Sequence, residues 1–141
     1  MRILLDTNLL VDADLLIDSI DSSAVVGLPS GEQHDFFCSA LSYAELQEGE
    51  FSHNTAIRTK TPLEYIRAAE AFGEGLPFDD LAAYLYRVVC RAVVEQGRQV
   101  GRRRRVDLMI AATALANDCV LATRNIADFR GLEPILTVME L

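Results

Sequence analysis

The chain has 141 residues, half of them apolar, which is enough for one folded domain with a full hydrophobic core and argues against disorder. Its longest apolar runs are too short to cross a membrane, and no leader peptide is expected before the first predicted strand. The formal net charge of -8 argues against a simple electrostatic nucleic-acid binder, which would carry a basic excess. Three widely spaced cysteines, Cys38, Cys90 and Cys119, are expected to be reduced core residues, which predicts a cytoplasmic protein.

The first half of the chain alternates strand and helix patterns. Its predicted elements are, in order, a buried strand over residues 2–11, a short helix containing Leu15, Leu16 and Ile20, a loop at Gly27–Gly31, a strand at Asp35–Ser39 and a helix from Ser42 to near Gly49.

The second half continues this alternation. Its predicted elements are a helix from Thr61-Pro62-Leu63-Glu64 to Phe72, a loop at Gly73–Gly75, an extended piece at Leu76–Phe78, a helix capped by Asp79 or Asp80 with the apolar face Leu81, Leu85, Val88, Ala92 and Val93 that ends at Gly97, a helix over 106–116, and strands at Cys119–Thr123 and Ile135–Val138. Strands that alternate with helices indicate an α/β fold with a parallel sheet.

Asp6 is the most informative residue because it interrupts the apolar run from Ile3 to Val11. A carboxylate in a buried strand loses its hydration and must find a cation, hydrogen bonds or a proton. It is best accommodated at the carboxyl end of the strand, where open α/β sheets bind ligands. We therefore interpret Asp6 as a site residue, although an Asx-turn with Thr7 or Asn8 could also satisfy it. Asn8 would orient Asp6 or simply form a turn.

Two further acids each have a structural and a functional interpretation. Ser42-x-x-Glu45 matches a capping box, in which Glu45 would bond to the first backbone N–H of its helix. Glu45 also follows a predicted strand, however, so its helix would begin at the same sheet edge as Asp6. Asp107 lies in the first turn of an Ala-rich helix, where it could interact with the helix dipole, but its apolar neighbours place it at a largely buried helix start.

The segment 123–129 directly follows the next-to-last predicted strand. Within it, Asn125 could form a turn and Asp128 could cap one, but both would lie just past a carboxyl strand end. Acidic or amide side chains from four separate segments would then meet at one edge of the sheet, which predicts a site.

These segments together resemble PIN domains, and their order and the chain length are similar to those of VapC-type ribonuclease toxins of bacterial toxin–antitoxin pairs. They are Leu5-Asp6-Thr7-Asn8 and residues 39–46, 107–114 and 122–129. The resemblance implies a three-layer PIN-like fold, with a mostly parallel central sheet flanked by helices, and a single nuclease domain over residues 1–141.

The same resemblance implies Asp6, Glu45 and Asp107 as the acidic core, with Asp6 and Asp107 as metal ligands. Family members carry an acid either where this chain has Asn125 or where it has Asp128, so either residue could fill the fourth position. The resemblance further implies a homodimer and a small antitoxin of the VapB type that blocks the site.

Clustered carboxylates select hard cations, which predicts Mg²⁺, with Mn²⁺ as the alternative. Such an ion binds a phosphodiester oxygen and makes water a better nucleophile. We therefore hypothesise an Mg²⁺-dependent endoribonuclease that hydrolyses RNA with water. In this hypothesis Glu45 and Asp128 orient waters or a second ion, while Asn8 and Thr123 support the metal ligands.

The basic residues are twelve arginines and the single lysine Lys60, and Arg102, Arg103, Arg104 and Arg105 form a run. A charge run is usually solvated. Cations at a helix N-terminus oppose its dipole, however, which favours an anionic partner. We predict that the run contacts RNA phosphate or an acidic segment of the antitoxin.

Two other functional classes remain open. Aspartate-dependent phosphatases and receiver domains need a second Asp two residues after the first, or a lysine late in the chain. This chain has Asn8 at that position and Lys60 on a predicted loop, which argues strongly against this class. His34 and His53 are isolated, which argues against zinc or histidine catalysis. The non-enzymatic alternative is a PIN-like protein-binding module without nuclease activity.

Overall fold

A parallel sheet forms the centre of the molecule. The computed structural model describes residues 1–21, 25 and 27–141, and within them four strands lie in the order β2-β1-β3-β4 with every neighbouring pair parallel. The strands are β1 Arg2–Leu5, β2 Asp35–Cys38, β3 Val120–Thr123 and β4 Val138–Glu140. The helices are α1 Thr7–Leu10, α2 Ala13–Asp21, α3 Ala40–Glu48, α4 Thr55–Phe72, α5 Asp80–Glu95 and α6 Arg105–Ala116, with 3₁₀ turns at Gly49–Phe51 and Ile126–Phe129.

Helices cover both faces of this sheet, as the side chains of β1 show. Leu4 packs in one core cluster with residues of α5 and α6, whereas Ile3 and Leu5 pack in a second cluster with residues of α1, α3 and α4. All three side chains are fully buried. Because successive strand residues point to opposite faces, a continuously apolar strand needs cover on both sides. The predicted α/β fold with three layers is therefore confirmed.

The first strand is shorter than predicted. β1 ends at Leu5, and Asp6 has extended backbone angles (φ -68°, ψ 152°) and caps the short helix α1. Leu9 and Leu10 are buried by this helical turn. The predicted strand through Val11 is therefore wrong, because a short apolar run does not distinguish a strand from a buried helix. Asp6 nevertheless lies at the carboxyl end of a buried strand, as predicted.

Helix α4 begins earlier than predicted. Asn54 Oδ1 accepts hydrogen bonds from the backbone N–H groups of Ala56 (3.0 Å) and Ile57 (3.3 Å), and so caps the helix before Thr55. Pro62 consequently lies inside the helix, and the predicted start at Thr61 is wrong. Lys60, which was predicted on a loop, is exposed on this helix.

The last strand is also displaced. The backbone N–H groups of Ile135 and Leu136 both donate to the Leu132 carbonyl (2.9 and 2.8 Å), so these residues form a turn. Pairing with β3 begins only at Val138. The predicted strand over Ile135–Val138 is therefore wrong, and the observed strand begins three residues later, at Val138. The turn uses the backbone N–H groups that a strand at Ile135 would need.

The predicted apolar face of α5 is partly wrong. Asp79 caps the helix as predicted, with Oδ1 accepting from the Ala82 N–H at 3.0 Å. Leu81 is 53% exposed, however, while Ala82 and Val89 are fully buried. Helix α5 therefore packs on the core through Ala82, Val89 and Val93 rather than through Leu81.

Helix α3 begins at Ala40, two residues before its predicted start at Ser42. Helices α2 and α6 and strands β2 and β3 fall where they were predicted. Residues 22–24 and 26, part of the mixed stretch that follows α2, lie outside the described residues. The three cysteines are free, and Cys38 and Cys119 are buried. No helix in the described part of the chain is long and apolar enough to span a bilayer.

Candidate functional site

Asp6 lies where β1 ends and α1 begins. Its backbone N–H donates to the Ala122 carbonyl of β3 (2.8 Å), which extends the sheet pairing by one residue. Its carboxylate accepts two hydrogen bonds, at Oδ1 from the Thr7 N–H and at Oδ2 from the Thr123 hydroxyl, both 2.8 Å. The residue is only 4% exposed. Each carboxylate oxygen has a second lone pair, so Asp6 can accept a further partner.

Thr123 connects Asp6 to its neighbours. Its Oγ1 accepts from Asn8 Nδ2 and from the Asn125 backbone N–H, both at 3.1 Å, and Asn8 Oδ1 accepts from the Arg124 N–H at 3.2 Å. Because these two donors occupy the acceptor positions of the hydroxyl, its proton is directed to Asp6. Of the predicted supporting residues, Thr123 thus bonds directly to Asp6, whereas Asn8 and Asn125 bond to Thr123.

Glu45 lies within α3 and does not cap it. Ser39 is the capping residue, since its Oγ accepts from the Ser42 N–H at 2.9 Å. The capping-box interpretation of Glu45 is therefore wrong. Glu45 Oε1 instead accepts from the Thr7 hydroxyl at 2.6 Å. Thr7 thereby joins two acids, with its backbone N–H on Asp6 and its hydroxyl on Glu45.

A chain of hydroxyl groups continues from Thr7 into the core. Thr7 Oγ1 lies 2.9 Å from Ser42 Oγ, which lies 3.1 Å from Ser39 Oγ, and both serines are fully buried. A hydroxyl has one proton, so the donation from Thr7 to Glu45 leaves Ser42 to donate to Thr7. Sequence reasoning named Thr7 as a turn partner of Asp6 and Ser42 as a capping residue, but it did not predict that these hydroxyl groups and that of Ser39 bond to one another beside Glu45.

Asp107 lies in the first turn of α6 and interacts electrostatically with the three other acids of the site. Burial, followed by the charges of Asp6, Glu45 and Asp128, raises the pKa of Asp107 from 3.8 to about 7, while Arg104 lowers it. We call Asp6, Glu45, Asp107 and Asp128 the carboxylate cluster. Such mutual repulsion makes a cation at this position favourable.

Burial also raises the pKa values of the other two core acids. For Asp6, burial is the largest cause and the charge of Asp128 adds to it, while the hydrogen bonds from Thr123 and Thr7 lower the pKa. For Glu45, burial again raises the pKa most, the bond from Thr7 lowers it, and the charge of Asp6 raises it further. The acids therefore interact as one group.

Among the described residues, no arginine or lysine forms a salt bridge with this group, although the charge of Arg104 lowers the pKa of Asp107. The salt bridges found among the described residues are Arg67–Asp14 (2.9 Å) and Arg124–Asp12 (3.8 Å), and neither includes a member of the carboxylate cluster. The hydrogen bonds to Asp6 and Glu45 come from hydroxyl and backbone N–H groups, which are neutral. No salt bridge within the described residues therefore competes with a cation for these acids.

The two candidates for the fourth position differ in the structure. Asn125 is exposed and provides its backbone N–H to Thr123. Asp128 is half-buried in the 3₁₀ turn Ile126–Phe129, and its charge acts on both Asp6 and Asp107. Asp128 is therefore the one of the two that interacts with the other acids.

The donor set fits a hydrated hard cation. Among the described residues, no three carboxylate, imidazole or thiol side chains form a group that could hold a metal ion together. Mg²⁺, however, is often bound by one or two carboxylates and several waters. Crowded carboxylate oxygens with raised pKa values suit such an ion better than a softer metal, which prefers nitrogen or sulfur ligands.

The arginine run divides into residues with different surroundings. Arg104 Nη1 donates to the Asp128 carbonyl at 3.0 Å, and Arg105 interacts with the Tyr86 hydroxyl. Arg102 and Arg103 are exposed and form no hydrogen bond or ion pair within the described residues. Only part of the run is therefore free to contact a partner.

Comparison with solved structures identifies similar proteins. No protein-family model matches the chain, and no curated protein matches it by sequence. A chain of VapBC-5 from Mycobacterium tuberculosis, a member of the VapBC family of toxin–antitoxin systems, is 25% identical with a TM-score of 0.69, over 99% of this chain and 97% of that chain. A chain of VapBC-1 from nontypeable Haemophilus influenzae is 26% identical with a TM-score of 0.68, over 99% and 98%.

A third structure agrees in fold. A chain of VapBC2 from Rickettsia felis, which was solved with a DNA fragment from the promoter, is 22% identical with a TM-score of 0.71, over 99% of this chain and 98% of that chain. These likenesses confirm the predicted resemblance to VapC-type PIN domains and the predicted fold.

Proposed function

We propose that this chain is the toxin of a VapBC-type pair and that it hydrolyses RNA phosphodiester bonds with the help of Mg²⁺. The observation that carries the proposal is the crowding at Asp107, whose pKa is raised to about 7 by burial and by three other carboxylates. Ionised acids crowded in this way are unfavourable unless a cation or a proton neutralises part of their charge. The likeness to VapBC-5, a toxin–antitoxin system, supports the toxin role.

Asp6 and Asp107 would hold the metal ion. Asp6 is oriented by Thr7 and Thr123, and its carboxylate oxygens keep free lone pairs. Because the pKa of Asp107 is about 7, its carboxyl group can release its proton to bind a metal ion near neutral pH. When bound, Mg²⁺ would stabilise the charge on the phosphodiester and make a water molecule more nucleophilic.

Glu45 and Asp128 would act on water. Glu45 Oε1 accepts from Thr7, so Oε2 is the atom available to accept a proton from the attacking water. The water oxygen forms a new bond to phosphorus, the bond to the leaving ribose oxygen breaks, and that oxygen takes a proton from solvent. Asp128 lies near enough to influence Asp6 and Asp107 and would orient a second water or a second ion.

RNA cleavage with a matched pair of variants tests this function. Asp6→Asn removes the charge but can still cap α1, since Asn is a good capping residue. Asp79→Asn makes the same change at the cap of α5, outside the carboxylate cluster. With total RNA and Mg²⁺ or Mn²⁺, we expect the wild type and Asp79→Asn to cleave and Asp6→Asn to lose at least about a hundredfold in rate. Equal cleavage by all three proteins would show a contaminant and refute the assignment.

A PIN-like binding module without nuclease activity is the alternative. It is favoured by the finding that no complete three-ligand site exists among the described residues. Titration with Mn²⁺ at millimolar concentration, followed by electron paramagnetic resonance, separates the two functions. The nuclease requires binding that Asp6→Asn weakens, whereas a module without a metal site would show none.

We also propose a small VapB-type antitoxin and a second copy of this chain as partners. The three similar structures described above are VapBC assemblies, which supports an antitoxin partner. The exposed Arg102 and Arg103 would contact RNA phosphate or an acidic segment of the antitoxin. A neighbouring reading frame whose product copurifies with this chain, and a dimer mass in light scattering, are the expected results.

A further inference from the structure

Two arginine side chains bond to the 3₁₀ turn that carries Asp128. Arg98 Nη1 donates to the carbonyls of Ala127 (3.0 Å) and Arg130 (3.1 Å), and Arg104 Nη1 donates to the carbonyl of Asp128 (3.0 Å). We call Arg98 and Arg104 the arginine clamp. Three carbonyl groups within four residues are thus held by two guanidinium groups, and the central one belongs to Asp128 itself.

The backbone fixes both ends of the arginine clamp. Gly97 has a positive φ of 75°, and its N–H donates to Val94 (2.9 Å) while the Arg98 N–H donates to Val93 (3.1 Å). These bonds form a Schellman motif, which closes the end of α5. Arg104 precedes α6, and its N–H donates to the Gly101 carbonyl at 2.9 Å. Each side chain therefore starts from the fixed end of a helix.

Packing holds the other side of the turn. Phe129 is 2% exposed and Leu132 is fully buried in the core. Gly131, with φ 97°, approaches α5 so closely that a Cβ there would lie 3.1 Å from Cγ of Gln96 and 3.2 Å from its Cβ. The turn is thus pressed against the end of α5. The arginine clamp adds a side-chain donor to the Ala127 carbonyl, which also accepts from the Arg130 N–H, and to the carbonyls of Asp128 and Arg130.

We propose that Arg98 and Arg104 are positioning residues that hold the Asp128 carboxylate at the carboxylate cluster as its fourth acid. The inference rests on the proposed function, because it assigns a role at the same site. In this proposal, Arg98 and Arg104 have a structural role, which Arg102 and Arg103 do not share. The Nη1 donors of the arginine clamp are used within the protein, whereas the exposed Arg102 and Arg103 have no such bonds among the described residues.

A double-mutant cycle tests whether Arg98 acts through Asp128. Arg98 is chosen because Arg104 also acts directly on Asp107. We expect Arg98→Gln to weaken Mn²⁺ binding about tenfold, as is typical for residues that orient metal-site acids. In an Asp128→Asn background the same change should have no further effect. Arg103→Gln is the control, since it removes an exposed arginine and should leave the Mn²⁺ affinity unchanged.

Hydrogen exchange provides a readout that needs neither metal nor RNA. The N–H groups of Asp128 and Arg130 bond to the carbonyls of Asn125 (3.1 Å) and Ala127 (3.4 Å) within the turn. Loss of the bonds from Arg98 should speed their exchange by about tenfold, and Arg103→Gln should not change it. Gly131→Ala keeps every charge but displaces the turn, and should speed the exchange of the same groups.

Three outcomes overturn the proposal. Exchange of Asp128 and Arg130 that is the same in Arg98→Gln and the wild type would show that Arg98 does not hold the turn. Equal loss of Mn²⁺ affinity with and without Asp128 would show that Arg98 does not act through it. An increased KM for RNA with unchanged Mn²⁺ affinity and exchange would make Arg98 an RNA contact. If the wild type neither binds Mn²⁺ nor cleaves RNA, the proposed function fails, while exchange still decides whether Arg98 holds the turn.

Discussion

Removal of the Asp107 charge should stabilise the metal-free protein. We predict that Asp107→Asn increases the free energy of unfolding in EDTA at pH 8, although it changes a residue of the proposed site. Burial and then the charges of Asp6, Glu45 and Asp128 raise the pKa of Asp107 from 3.8 to about 7. The ionised carboxylate is therefore less favourable in the folded protein than in the unfolded chain, and asparagine has nearly the same shape without the charge.

The gain should depend on pH with a definite sign. Below about pH 3.8 the Asp107 carboxyl group is protonated in both the folded protein and the unfolded chain, so it causes no loss of stability. As the pH rises to about 7, the unfolded chain releases the proton first, so the wild type loses stability relative to the variant. Above that pH the difference should stay constant.

The size of the gain follows from the pKa change. At about 1.36 kcal/mol per pH unit, the interval from 3.8 to about 7 corresponds to at most about 4 kcal/mol. Asp107 is partly exposed, and solvent screening reduces the expected gain to about 1–2 kcal/mol.

Urea denaturation at pH 4, 6 and 8 in EDTA, followed by circular dichroism, measures this gain. Asp80→Asn is the matched control, because Asp80 is an exposed first-turn acid of α5 and its loss removes only a favourable interaction with the helix dipole. We expect no gain in stability from this control. A variant Asp107→Asn that is no more stable than the wild type at pH 8, or whose gain does not grow between pH 4 and 8, would refute the crowding argument.

Three further predictions concern the neighbours of Asp107. Thr7→Val should lower the free energy of unfolding by about 1–3 kcal/mol in urea denaturation, because Glu45 and Ser42 lose a partner; Thr7→Ser should restore it, and equal losses in both variants would exclude the hydroxyl as the cause. Thr123→Val should weaken Mn²⁺ binding about tenfold in electron paramagnetic resonance, since Asp6 loses its orienting donor; unchanged affinity would contradict this. Mg²⁺ at about ten times its Kd should stabilise the wild type by about 1.4 kcal/mol in thermal unfolding and leave Asp6→Asn unchanged; an equal gain in both proteins would place the ion elsewhere.

The edge at which the acids meet could be predicted from chain order. Parallel strands all end at the same edge of a sheet. Asp6 follows β1, the 123–129 segment follows β3, and these two strands are neighbours. Their convergence does not depend on how long each element is. For this reason, the error in the predicted length of the first strand did not affect the predicted position of Asp6.

Helix starts could not be predicted from local signals alone. Thr61-Pro62-Leu63-Glu64 matches a start signal, yet Asn54 caps the helix earlier. Likewise Ser39, rather than Ser42, caps α3. Several residues near each start could satisfy the free backbone N–H groups, and the one that does so depends on where the preceding segment leaves the sheet or loop.

Long-range contacts at the site could not be predicted for a different reason. Thr7 bonds to Glu45 across 38 positions, and Arg98 bonds to Ala127 across 29. Local patterns of spacing describe neighbours within one helix or strand, so they contain no information about such pairs. The predicted list of site residues therefore contained the acids and Thr123, which bonds to Asp6, but gave no role at the site to Thr7 or Arg98.

The chemistry of those holding groups explains why the carboxylate cluster can serve a cation. Hydroxyl and backbone N–H groups orient Asp6 and Glu45 without cancelling their charges, whereas a salt bridge would compete with a bound ion. The repulsion that reduces stability at Asp107 is consequently preserved until a cation relieves it. Stability without metal and affinity for metal are then linked properties of the same acids. Asp107→Asn should therefore raise the stability in EDTA and abolish the stabilisation by Mg²⁺ together, and a variant that did only one of these would show that crowding and metal binding are independent.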